Sequence, residues 1–169
     1  MREREETMLG VCLLFVGIVL INNGVCGLWG ITGKPAAIMN FFVGGLSVFI
    51  NFVSLAQGNY YAAGTGLLFG FTYLFVAFNQ IFDLDTRPFA VFSCFVAVNA
   101  VVFGAIEGLG GSSFLGIEPD WRWMAIWWAW AILWGSAFFT DILDKDLGKT
   151  VPILQIGEGV ITEIGRAHV

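Results

Sequence analysis

Trp123, Trp127, Trp130 and Trp134 are spaced i, i+4, i+7 and i+11, which on a 3.6-residue period places four indoles in one stripe along most of a helix. Trp128 lies off that stripe. An indole offers a flat aromatic face and a single N–H donor. A column of them can line a narrow path for a small, flat, polar molecule, and it can equally pack as bulky core against neighbouring helices. Membrane helices gather Trp at the two interfaces, where the N–H finds water, so a column through the middle needs one of these two explanations. Phe69 and Tyr73 form a second aromatic pair at i, i+4, and Tyr73 adds a hydroxyl that wants a partner once buried, which moves the balance toward the path.

Other chemistries lack their parts. The only histidine is His168, so a Ser, His and acid constellation cannot be assembled. Three cysteines, Cys12, Cys26 and Cys94, are too few and too scattered for a disulfide framework or a metal cage. There is no Walker loop and no dinucleotide fingerprint, so neither a cofactor nor a metal is expected. No lysine lies within the apolar windows, which excludes a Schiff-base pigment. Glu158 is the single acid within an apolar segment before the last residues, so the paired carboxylates of proton-coupled transport are absent. The chain reads as a non-enzyme.

Composition says where such residues must sit. Of 169 residues 57% are apolar and only 12% charged, with a net charge of −5 and a mean hydropathy of +0.80. A soluble domain carries about 25% charged residues, so this chain cannot furnish a water-facing surface and reads as a membrane protein. No basic cluster exists to neutralise a phosphate backbone, which excludes a nucleic-acid partner. Charge is missing from 7–33, 35–82, 88–106 and 123–140. A charge at bilayer depth costs about 2.5–3.5 kcal/mol, so these windows mark the spans. The second is too long for one crossing, and Gln57, Gly58 and Asn59 supply a turn that splits it.

The expected fold is therefore all-α: a multi-pass helical bundle with helices near 8–27, 36–55, 62–82, 88–106 and 123–140, and a shorter sixth near 151–162, where Glu163 and Arg166 interrupt the apolar run. Residues 1–7 read as an extension before Met8, 8–161 as one channel domain, and 162–169 as a truncated tail. Lys34, Arg87, Lys145 and Lys149 fall in odd-numbered loops and only Arg122 in even ones, which places the odd loops in the cytoplasm and the N-terminus outside. Asn22, Asn23, Asn40, Asn51, Asn79, Asn99, Ser47, Thr65 and Thr72 read mainly as interhelical hydrogen-bond glue. Gly66 and Gly70, with Gly44 and Gly45, read as close-packing positions.

The segments MLGVCLLFVGIVLINNGVCGL (8–28), MNFFVGGLS (39–47), TGLLFGFTYLFVAFNQIFDLDTRPF (65–89), LGIEPDW (115–121), WWAWAILW (127–134) and LGKTVP (147–152) with IGEG (156–159) resemble successive stretches of the bacterial urea and short-chain amide channels, the AmiS/UreI family. The resemblance covers nearly the whole chain. It implies a six-helix protomer in the bacterial inner membrane, a homohexameric ring in membrane lipid, and one conduction path per protomer. It puts the lining aromatics on Phe69, Tyr73, Trp123, Trp127, Trp130 and Trp134, an apolar wall on Leu13, Val16 and Leu20, and the acid of the last helix on Glu158. For Glu158 a carboxylate in a helix N-terminal turn, held by the helix dipole, is the alternative.

The implied solutes are urea or short-chain amides, and a cytoplasmic urease or amidase would draw them inward. Acid-gated members carry long outer loops with histidines, whereas the stretch LAQGNYYAAG (55–64) here has none, so a channel without an acid gate is expected. An aliphatic amide transporter and a non-conducting membrane scaffold are the rival readings.

Overall fold

The computed structural model describes residues 2–110 and 117–166, all of them in helices or short connections. Six helices follow in order: α1 (Arg2–Trp29), α2 (Lys34–Ala56), α3 (Tyr60–Phe82), α4 (Arg87–Leu109), α5 (Trp121–Asp141) and α6 (Thr150–Arg166). The start of α1, the start of α2, both ends of α4 and both ends of α5 run past the charge-free windows, where charged residues enter the terminal turns. Gly33, at φ 68°, reverses the chain before Lys34 and Pro35 start α2. The α2–α3 connection is only Gln57, Gly58 and Asn59. Asp83 closes α3 in the left-handed region, its N–H donating to the Asn79 carbonyl.

Asp120 caps α5, its carboxylate accepting from the Arg122 N–H at 2.8 Å. The same carboxylate takes the Arg122 guanidinium at 3.0 and 2.8 Å, and that hydrogen bonding holds it below the usual carboxylate range. A depressed native pKa stabilises the helix start above the ordinary carboxylate pKa, an effect lost as pH falls through it. Asp120→Ala is expected to lower stability in detergent by about 1 kcal/mol at neutral pH, with a smaller difference near pH 3, read by thermal melting.

Four helices, at 10–29, α2, α3 and α4, are long and apolar enough to cross a membrane. At 21 residues α5 has the length, but its indoles, each with a polar N–H, count little toward hydropathy. With 17 residues α6 is about 26 Å long, short of a core about 30 Å thick.

Contacts divide the stretch read as one channel domain into two compact units. One holds α1, α2, α3 and α6, the other α4 and α5. In the first unit α2 and α3 form an antiparallel hairpin whose backbones touch at glycines. A Cβ on Gly44 would lie 2.7 Å from the Leu74 backbone nitrogen, and one on Gly70 would lie 3.1 Å from the Val48 nitrogen. Gly159 of α6 meets α1 in the same way, 2.7 Å from the Gly17 carbonyl. Gly45 faces open space, which corrects its reading as a close-packing position. Gly44→Ala is therefore expected to cost about 1–3 kcal/mol, while Gly45→Ala stays within about 0.5 kcal/mol, both measured by thermal unfolding of the purified protein.

In the second unit Gly104 and Gly108 of α4 leave room for Trp128 and Met124 of α5. Ser93 donates to the Trp134 carbonyl at 2.8 Å, and Trp128 Nε1 donates to the Val101 carbonyl at 3.2 Å. These two bonds fix the register of the hairpin.

The polar residues divide more evenly than expected. Asn23 and Asn40 exchange two bonds of 2.9 and 2.8 Å between α1 and α2, and Ser47 donates to the Gly66 carbonyl across the α2–α3 contact. Asn51, Thr65, Thr72 and Asn99 instead bond back to carbonyls of their own helices, so the reading of these four as interhelical glue is corrected. A back-bond satisfies the donor without a neighbour, which is the cheaper arrangement in an apolar surrounding.

Candidate functional site

Nine of the ten lining candidates are buried, five of them apolar or aromatic residues of the first unit. Leu13, Val16 and Leu20 form one face of α1 and are 2–5% exposed. Phe69 and Tyr73, at 7 and 4%, form a buried face of α3. That face adjoins the one carrying Gly66, Gly70 and Leu74, which packs on α2. A helix of a four-helix unit that buries two faces leaves only a narrow lipid-facing strip, here occupied by residues such as Phe71, Phe78 and Phe82.

Glu158 sits on α6, eight residues past Thr150. The N-terminal-turn explanation is thereby corrected, because the helix dipole acts within the first turn only. The carboxylate is 2% exposed, and neither oxygen has a hydrogen-bond partner among the described residues. It lies within electrostatic range of the Tyr73 hydroxyl. Tyr73 of α3 and Glu158 of α6 are both buried within the first unit. A buried carboxyl without a partner is costly, so its persistence asks for a role other than packing.

In the second unit the indole column is continuous over three of its four members. Trp127 and Trp130 meet edge to face at 5.2 Å between centroids, and Trp130 and Trp134 follow at 6.4 Å. These three are 3–7% exposed. Trp123, one turn nearer the start of α5, is half-buried and marks the end of the column. Trp128, off the stripe, is 43% exposed. Phe103 of α4 adds a fourth ring, 5.5 Å from Trp127, which the spacing on α5 could not reveal because it depends on the register between two helices. T-shaped contacts turn ring edges and faces alternately along the column.

Among the described residues no group of three or more His, Cys, Asp or Glu gathers to hold a metal ion. One further polar side chain shares the α3 stripe. Gln80 follows Tyr73 at i+7 and Phe69 at i+11, and its Oε1 is buried without a partner. The spacing was visible in the sequence; the missing partner was not.

A family model for AmiS/UreI family transporters matches residues 8–164. The chain belongs to the AmiS/UreI family. The AmiS/UreI proteins are transporters, so the chain is an integral membrane protein and not an enzyme. Among its AmiS/UreI relatives, the chain is 43% identical to an acid-activated urea channel of Helicobacter pylori over 92% of this chain and 93% of that one. It is 40% identical to a putative amidate substrates transporter protein of Mycolicibacterium smegmatis, over 90% of this chain and 71% of the relative. A cryo-electron microscopy structure of the Helicobacter pylori urea channel in its closed state superposes with a TM-score of 0.87 at 44% identity, covering 95% of this chain and 96% of that one. The six-helix AmiS/UreI architecture is thus shared in full with a solved channel.

Proposed function

We propose that this chain is a passive channel for small neutral amides, urea foremost, with a path through each protomer lined by Phe69, Tyr73, Trp123, Trp127, Trp130 and Trp134. Leu13, Val16 and Leu20 form the apolar wall, and Glu158 is the one acid on the path. The observation that carries the reading is the buried column Trp127–Trp130–Trp134 in a member of a transporter family. Relatives described as a urea channel and as an amidate transporter support the solute class.

Urea and acetamide are planar and uncharged. Such a solute exchanges hydration for a few weak, sequential contacts with indole N–H groups, ring faces, the Tyr73 hydroxyl and the Glu158 carboxyl. An ion would lose its water with nothing to replace it, since the lining holds no ring of charges. Flux then follows the gradient, and a cytoplasmic urease or amidase that consumes the solute keeps it inward. The protomers assemble as a homohexamer in the bacterial inner membrane, with the N-terminus outside and Lys34, Arg87, Lys145 and Lys149 on the cytoplasmic side.

The channel conducts without an acid gate. The α2–α3 connection is three residues long and carries no titratable group. The alignment with the acid-activated channel runs over 182 positions, more than the 169 residues here, so that relative carries insertions this chain lacks. Asp120, on the other even-numbered connection, is held by Arg122 below the usual carboxylate range and stays charged between pH 5 and 8.

Parallel swelling of proteoliposomes in urea and in acetamide tests the reading. Entry of both is expected, with rates changing less than about twofold between pH 7.5 and pH 5. A several-fold rise at pH 5 contradicts the ungated reading. Acetamide entry far faster than urea entry makes the protein an aliphatic amide transporter, a preference worth only about 1–3 kcal/mol in pocket shape.

A further inference from the structure

One end of the first unit is rich in carboxamides. Asn23 and Asn40 lie about 9 Å, six residues, from the ends of α1 and α2 that meet at the Gly30–Gly33 turn. Asn79 and Gln80 lie in the last turn of α3, at the same end, with the Gln80 carbonyl near Gly33. The pairing is unequal. Asn23 and Asn40 satisfy each other through two N–H···O bonds, the cyclic arrangement that two primary amides adopt. Asn79 Oδ1 and Gln80 Oε1 are buried and accept from nothing among the described residues, and Asn79 as a whole is 7% exposed.

We infer that Asn79 and Gln80 form an amide-recognition subsite at the cytoplasmic end of α3, whose two side-chain oxygens accept from the N–H2 groups of the travelling solute. Four features of the molecule converge on this. The oxygens are acceptors only, and urea and primary amides are rich in N–H donors. Gln80 continues the Phe69 and Tyr73 stripe, about 10 Å beyond Tyr73 along the helix. Adjacent residues on a helix point about 100° apart, so the two oxygens can take two different N–H bonds of one solute or hand it from one to the other. The neighbouring Asn23–Asn40 pair displays the bond geometry a primary amide would form with either side chain. Loss of hydration at the cytoplasmic mouth is thereby matched by acceptor oxygens.

The inference rests on the proposed urea or amide conduction and has its own test. Urea influx is measured against concentration in proteoliposomes of the full-length wild type and of Gln80→Leu and Gln80→Asn. Gln80→Leu is expected to raise the half-saturating urea concentration on the order of threefold to tenfold, the range of one neutral hydrogen bond, with maximal flux per assembled channel held within twofold. Gln80→Asn keeps the acceptor oxygen on a shorter stem and is expected to recover part of that loss, which Gln80→Leu cannot. N,N′-dimethylurea, with half the N–H donors, should respond less to Gln80→Leu than urea does. An unchanged half-saturating concentration in Gln80→Leu overturns the subsite, as does a loss confined to maximal flux, which is the mark of a packing role. Wild-type vesicles that admit no urea or acetamide refute the conduction reading itself, a result distinct from wild-type flux with insensitive variants.

Discussion

Trp130→Ala is expected to lower the preference for urea over bulkier amides such as butyramide by about tenfold, while the protein still assembles. Trp130 is the middle ring of the buried run, edge to face with Trp127 and next to Trp134. Its removal opens a gap of indole size in the wall of the path. A tenfold change in selectivity corresponds to about 1.4 kcal/mol, within reach of one lost wall contact per passage. The same substitution also removes a buried aromatic, so a stability loss of about 3–5 kcal/mol accompanies it. The two effects separate the readings of the column. A path lining changes selectivity per assembled channel; a packing column lowers only the yield and melting temperature. Flux ratios normalised to folded oligomer, measured by stopped-flow light scattering, decide between them.

The second large effect concerns Glu158. Its two oxygens are buried at mid-helix without hydrogen-bond partners among the described residues. An apolar residue of similar volume removes an unsatisfied polar group, so Glu158→Leu is expected to stabilise the protein by about 1–3 kcal/mol. Urea permeability should at the same time fall by tenfold or more, because a polar stepping point on the path is lost. Stability and function then move in opposite directions, the pattern of a polar group retained for its solute. Glu158→Gln keeps hydrogen-bonding capacity and should retain most of the flux. Melting curves and swelling rates on the same preparations check both; a destabilised Glu158→Leu with unchanged flux would make the acid structural.

Much of this was legible in the chain because bilayers punish charge. The windows free of Asp, Glu, Lys and Arg located the first five helices, and caps lie at or just outside a window where Gly33 precedes α2, Asp83 ends α3 and Asp120 precedes α5. The indole stripe was legible because a helix has a fixed period, and Trp128, off that period, is the exposed one. Relations between helices were not legible. Whether an asparagine bonds across to a neighbour, like Asn23 to Asn40, or back to its own helix, like Asn51 to Ser47, depends on register and distance that no local pattern encodes. The mid-helix position of Glu158 depended on where α6 begins, and Pro152 alone left that open by a turn. Phe103 joined the column only through the packing of α4 on α5, and the division into two units followed from contacts between segments far apart in sequence.

The central claim is that solute passes along the buried indoles. Stopped-flow urea entry into vesicles of purified wild-type protein, set against protein-free vesicles of the same lipid, tests it most directly. The account predicts entry at least tenfold faster with protein, with no accompanying sodium conductance. Rates equal to the protein-free vesicles, from protein shown to be folded and inserted, would contradict it.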